Sequence, residues 1–179
     1  MTLAGVLATE CSEGHSLLLP KLYLSGLLRG ASGAEVVISL ACMLEEKEGQ
    51  EKGPPVREVE GWSEGVGAAY DFLVAGAEEG QVWEGRHGCP SPPQFWALQT
   101  MWMGIAGMWM GGCSVSAVCE EYGIFEGNLL RGLHKLHNLL NEWTTLATYC
   151  EHPDVLDRLR DTPGLLMRDI ASCESLYVT

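Results

Sequence analysis

Residues 126–147, EGNLLRGLHKLHNLLNEWTTLA, decide the fold class. Leu129, Leu133, Leu136, Leu140, Trp143 and Ala147 follow one another at steps of four and three residues. At about 100° per residue, such steps keep six side chains within one narrow arc of an α-helix. The opposite arc carries Arg131, His134, Asn138, Asn141 and Thr145, flanked by Lys135 and Glu142. A rod with one oily edge and one polar edge needs neighbours along the first and solvent or a ligand along the second.

The neighbours are predicted on both sides of it. Downstream, two shorter helices fall at about 153–160 and 165–173. Upstream, a short helix over 114–121 stops at Tyr122-Gly123, and a helix from about Gln94 stacks Phe95, Leu98, Trp102, Ile105 and Trp109 on one stripe. Residues 80–93 are rich in Gly and Pro and read as a loop. Before them, apolar residues at 56, 59, 62, 66, 69, 73 and 77 keep helical spacing, although Gly61, Gly65 and Gly67 each weaken it by about 1 kcal/mol relative to Ala. Gly53-Pro54-Pro55 breaks the chain. Two short helices, 16–24 and 34–47, flank a Gly/Ser loop, Ser12-Glu13-Gly14 turns the chain, and 2–11 alternates loosely enough to predict a strand or extended entry. The expectation is an all-α bundle of about seven to eight helices with a short extended N-terminal segment. It forms one domain over 1–179: an entry segment and two helices in 1–52, a helix and loop in 53–93, and the buried, long and C-terminal helices in 94–179.

Composition narrows the function classes. The 179 residues hold 11 Lys+Arg against 24 Asp+Glu, a net charge of −13, and both halves of the chain are acidic. Autonomous nucleic-acid binding rests on cations neutralising phosphates, so a basic DNA-binding module is excluded. Seven cysteines (Cys11, Cys42, Cys89, Cys113, Cys119, Cys150 and Cys173) are scattered with no CxxC pair, which predicts reduced intracellular thiols and neither a disulfide framework nor a zinc site. No secretory-signal pattern opens the chain, since no cation precedes Lys21 and Glu10 interrupts the early apolar residues. Residues 95–110, FWALQTMWMGIAGMWM, are the one stretch that invites a membrane. A spanning helix wants about 20 apolar residues, so a buried core helix is the better reading.

Catalytic motifs are missing. The chain has no GxxxxGK[ST] phosphate loop, no DExH box, no GxSxG elbow and no HExxH pair. His134 and His137 lie three apart but sit well round the helix from one another, without a third ligand nearby. Scattered acids such as Glu120 and Glu121 read as a solvated face. No catalysis is expected from these residues alone.

Two strings are specific. Phe125-Glu126-Gly127-Asn128-Leu129-Leu130-Arg131 opens the long helix, and Arg168-Asp169-Ile170-Ala171-Ser172-Cys173-Glu174-Ser175-Leu176-Tyr177-Val178 closes the chain. Together they resemble the C-terminal helical domain, DSHCT, of the DExH-box RNA helicases of the superkiller and nuclear-exosome class. There, F-E-G-(small or polar)-aliphatic-aliphatic-Arg begins a "ratchet" helix and R-D-I-V-x-x-x-S-L-Y-aliphatic ends the polypeptide. Trp109, Gly112, Ser114 and Cys119 resemble the family's W-x-x-G-x-S-F-x-x-I-C approach to that helix. Leu3-Ala4-Gly5-Val6-Leu7-Ala8-Thr9-Glu10 resembles L-K-G-R-V-A-C-E.

The resemblance implies a non-catalytic wall of an RNA channel, packed on two ATPase domains that hold ATP and Mg, in 3′-to-5′ unwinding and RNA decay. It implies single-stranded RNA and those ATPase domains as partners, exosome or adaptor proteins beyond them, no membrane, no cofactor in this chain, and a nuclear place ahead of a cytoplasmic one. Arg131, His134, Lys135 and Asn138 are the implied RNA contacts. Phe125, Glu126 and Gly127 are the implied helix-start and packing motif. A structural salt bridge at a domain contact suits Arg131 equally well, and a free-standing interaction module, docking through its Trp/Met-rich surface, is the rival reading. The departures weaken RNA contact: two consecutive basic residues of the family are His134-Lys135 here, its E-E pair is His137-Asn138, a later basic position is Asn141, and the entry Lys and Arg are Ala4 and Leu7.

Overall fold

The computed structural model describes residues 2–44 and 62–168. They form nine α-helices and one 3-10 turn. The long helix, α7 (Glu126–Tyr149), buries Leu129, Leu133, Leu136, Leu140, Trp143 and Ala147, the whole predicted seam, together with Leu139 and Leu146. Six helices close around it in order along the chain. They are α2 (Leu18–Ser25), α3 (Gly33–Ala41), α5 (Thr100–Met110), α6 (Val115–Tyr122), α8 (Pro153–Leu159) and α9 (Thr162–Leu166). Outside them, α1 (Leu3–Ala8) leans on α2, and α4 (Glu64–His87) crosses α2 and α3.

Local chemistry sets the ends of these helices. Ser32 and Glu35 form a reciprocal capping box at the start of α3. The hydroxyls of Ser63 and Ser114 accept from the Val66 and Ala117 amides to cap α4 and α6. Gly123 stops α6 in the left-handed region at φ 61°, which leaves two residues before α7 begins.

Helix α5 meets α7 through one close side-chain contact. The outer edge of the Trp102 indole of α5 packs against Gly132 of α7, so close that a Cβ at 132 would collide with Cη2, Cζ3 and Cζ2 of the ring. Trp102, Met103, Ile105 and Trp109 are all buried. The apolar stretch is therefore mostly core, and of the Trp/Met-rich surface expected of an interaction module only Phe95 and parts of Met101, Met108 and Met110 reach solvent. Helix α5 has only 11 residues, and no helix among the described residues is long and apolar enough to cross a membrane.

Several predicted boundaries are corrected. Residues 3–8 are helical, not extended, because Thr2 caps the Gly5 amide and Leu7 then points into the core. Helix α4 runs on to His87 where a loop was expected. Its far half is held by the returning chain: Gly80 packs against Trp96, and the Glu84 carboxylate accepts from the Ser91 amide at 3.0 Å and the Trp96 indole at 3.0 Å. That grip draws residues 93–96 into a 3-10 turn against α4, so the helix expected from Gln94 begins only at Thr100. The last helix likewise starts earlier than expected, at Thr162. Positions 56 and 59 of the predicted stripe, and residues 169–178 of the C-terminal string, lie outside the described residues.

A methyl group at 132 has nowhere to go. Gly132→Ala is expected to destabilise the fold by about 1–3 kcal/mol through overpacking, read as a lower urea midpoint with unchanged slope.

Candidate functional site

The polar arc of α7 is bare. Arg131, His134, Asn138 and Asn141 are exposed, with Thr145 and Lys135 half-buried. The four implied RNA contacts therefore share one face, spread over two turns of a rigid helix. Arg131 pairs with no carboxylate among the described residues. Lys135 does: its Nζ lies 3.2 Å from Glu13 Oε1.

The helix start is exposed too. Phe125 occupies the N-cap position without a side-chain cap, and Glu126 sits in the first turn, where its charge favours the positive helix end. Phe125 is 81% exposed, and a Cβ on Gly127 would meet nothing within 4 Å. The close packing implied for these two residues is thus not made inside the described chain.

One side of the arc is walled by residues 10–14. Glu142, expected on the polar flank, is instead buried at 8% exposure. Its Oε1 accepts from the Ser12 amide at 2.7 Å, the Ser12 hydroxyl at 3.0 Å and the Glu13 amide at 2.6 Å, and its Oε2 from the Gly14 amide at 3.0 Å. Gly14 fits because its missing side chain leaves room for Leu139, Leu19 and that carboxylate. Tyr149 adds a hydroxyl bond to Glu10 at 3.2 Å. No local pattern announces this clamp, since its two halves are some 130 positions apart.

Next along the chain, His15 caps α2: its Nδ1 accepts from the Leu17 and Leu18 amides, each at 3.2 Å. The ring packs on Phe95 and Trp96 with centroids 4.4 and 4.6 Å away. Burial pushes its pKa below the ordinary histidine value, with Glu84 opposing and Lys21 assisting the shift. Between this ring, Phe95, Gln94, Glu13 and Lys135 opens a cleft of about 420 Å³.

A second junction ties the C-terminal half. The Trp109 indole N–H donates to the Leu166 carbonyl at 2.8 Å, and the Arg168 guanidinium lies 4.1 Å over the same ring while donating to the Cys113 carbonyl at 2.9 Å. The tryptophan of the 109–119 string and the arginine that opens the C-terminal string are in contact. Comparison with known sequences agrees: the family described as the DSHCT (NUC185) domain matches residues 1–173.

The chain belongs to the DSHCT family. It is similar to the ATP-dependent RNA helicase mtr4 of Schizosaccharomyces pombe, 20% identical over 174 residues covering 97% of this chain and 15% of that protein. The exosome RNA helicase MTR4 of Homo sapiens is 20% identical over 181 residues, covering 97% of this chain and 16% of the relative. The mRNA transport homolog 4 of Caenorhabditis elegans matches 76 residues at 28% identity, 42% of this chain and 7% of its own. The DSHCT chain thus spans about a sixth of the length of the relatives it matches along its whole length, and it represents the helicase-associated helical domain of Mtr4-like RNA helicases. Among its described residues no three His, Cys, Asp or Glu side chains are grouped to hold a metal ion.

Two predictions follow from the clamp and its neighbour. Glu142→Ala strips four part-buried donors of their acceptor and is expected to cost about 1–3 kcal/mol in denaturant unfolding. For His15, the fold prefers the neutral ring, so the unfolded chain takes up the proton first as pH falls. Stability is then lost as pH drops below about 6.5, the ordinary histidine value. Thermal melts at successive pH values should show that loss, and His15→Asn, which keeps an acceptor for the α2 amides, should flatten it.

Proposed function

We propose that this DSHCT domain is the non-catalytic wall of an RNA channel in an exosome-associated helicase, serving 3′-to-5′ unwinding and RNA decay. The observation that carries the proposal is the bare arc of α7, on which Arg131 stands exposed with no carboxylate partner among the described residues. Burying the opposite edge in the bundle makes the arc a rigid surface, and a free guanidinium on it can form a charge-assisted, bidentate bond to a strand phosphate. His134 and Asn138 add donors and acceptors along the same line, and Lys135 adds a second cation. With so few cations in an acidic domain, affinity must come from the strand being held elsewhere and passed along this face.

The ATP and Mg that drive such movement belong to the ATPase domains of the family, outside these 179 residues, and this chain supplies only the surface. Phe125 and Gly127 serve as the docking point for a neighbouring domain. An aromatic ring left 81% exposed beside an open glycine is suited to be covered in a larger assembly. The nucleus, with the exosome or its adaptors as further partners, follows from the same reading.

A second reading keeps the docking and drops the RNA: a helical interaction module whose anchor is the same exposed Phe125. Fusion of the chain to a DExH ATPase module, or its addition in trans, separates the two. Unwinding should be gained, and Arg131→Ala should lower its rate roughly tenfold, the loss of one charge-assisted contact. An unchanged rate would transfer the function to the interaction module.

A further inference from the structure

We propose that Glu13 is an internal competitor of the RNA backbone, holding Lys135 in an ion pair that a strand phosphate must displace; this rests on the RNA-facing reading of α7. Lys135 stands one helical turn after Arg131, so the two cations are successive contacts for one strand. They differ in state. Arg131 is unpaired among the described residues, whereas Lys135 meets the Glu13 carboxylate at 3.2 Å, with the two side chains 34% and 26% exposed.

Glu13 is not there by chance rotation of a mobile loop. Its own amide donates to Glu142 at 2.6 Å, and the amides of Ser12 and Gly14 on either side do the same. The buried Glu142 carboxylate, about two α7 turns from Lys135, therefore fixes the backbone of residue 13, and the acidic side chain has a cation within reach. The side chain itself is free to leave. Both Glu13 and Lys135 line the cleft beside α7, so displacement moves the carboxylate into open volume and breaks no core contact. A partly exposed pair of this kind is weak, so a phosphate delivered by a strand already held at Arg131 can take its place.

The competition has a signature that a purely structural pair lacks. Each phosphate neutralised by a protein cation releases counterions and steepens the dependence of affinity on salt, by about 0.7 in the logarithmic slope for a single strand. In the native chain Lys135 contributes little to that slope, because its counter-charge is carried by the protein.

The test uses the chain fused to a DExH ATPase module, which holds the strand, and a short fluorescent oligouridylate titrated by anisotropy from low to moderate salt. Glu13→Gln, which leaves the amide bond to Glu142 in place, is expected to bind about three- to fivefold tighter at low salt, with a slope steeper by up to about 0.7. In a Lys135→Gln background the same change should have no effect on affinity or slope. An equal gain in that background would overturn the inference, since the gain would then reflect overall charge. If Glu13→Gln leaves both readouts unchanged while Arg131→Ala weakens binding, Glu13 is no competitor and the RNA face stands. If neither Glu13→Gln nor Arg131→Ala changes binding by the fusion, the RNA reading of α7 fails and the inference with it.

Discussion

Burial of one edge of α7 is the constraint from which the rest of the molecule follows. Eight large or small apolar side chains along that edge are withdrawn from water only if helices cover it continuously over six turns, and no single neighbour is long enough. The solution is a relay of short helices, α2, α3, α5, α6, α8 and α9, two of which, α2 and α6, stop at a left-handed glycine. Because the seam draws these helices to one side, no helix among the described residues covers the other edge of α7. The exposed arc is a by-product of how the core is closed, and it is rigid for that reason.

What could be foreseen from the amino-acid order was whatever depends on near neighbours along the chain. Helical spacing at 129, 133, 136, 140, 143 and 147 specified the central rod and its inner edge, and Ser114 and Gly123 bracketed the helix before it. The failures share a cause. Residues 80–87 carry Gly80 and Gly85, and by propensity they should not be helical; Trp96 and Ser91, returning from beyond the turn, hold them so. Residues 3–8 looked extended because their apolar pattern is too short to show a period, and Leu7 is decided by the core it enters.

The candidate site divides along the same line. The shared face of Arg131, His134 and Asn138 is a matter of helical angle and was legible. The burial of Glu142 was not, because a glutamate beside a polar arc has the same spacing whether or not three amides from the other end of the chain cover it. Nor could the exposure of Phe125 be read, since an aromatic residue before a helix ordinarily turns inward. The chemistry of this face is therefore set by one long-range encounter, the segment 10–14 lying along α7, and by the exposed ring of Phe125 at its first turn.

The indole of Trp109 has a wider consequence. Its N–H is satisfied by a carbonyl at 166 and its face by a guanidinium at 168, so a side chain deep in the bundle acts as the mooring post for the last described residues. Substitution there would not merely hollow the interior; it would set the tail adrift. Loss of Arg168 alone would uncover an aromatic face, whereas a truncation before 166 would also strand a polar hydrogen in the middle of the fold.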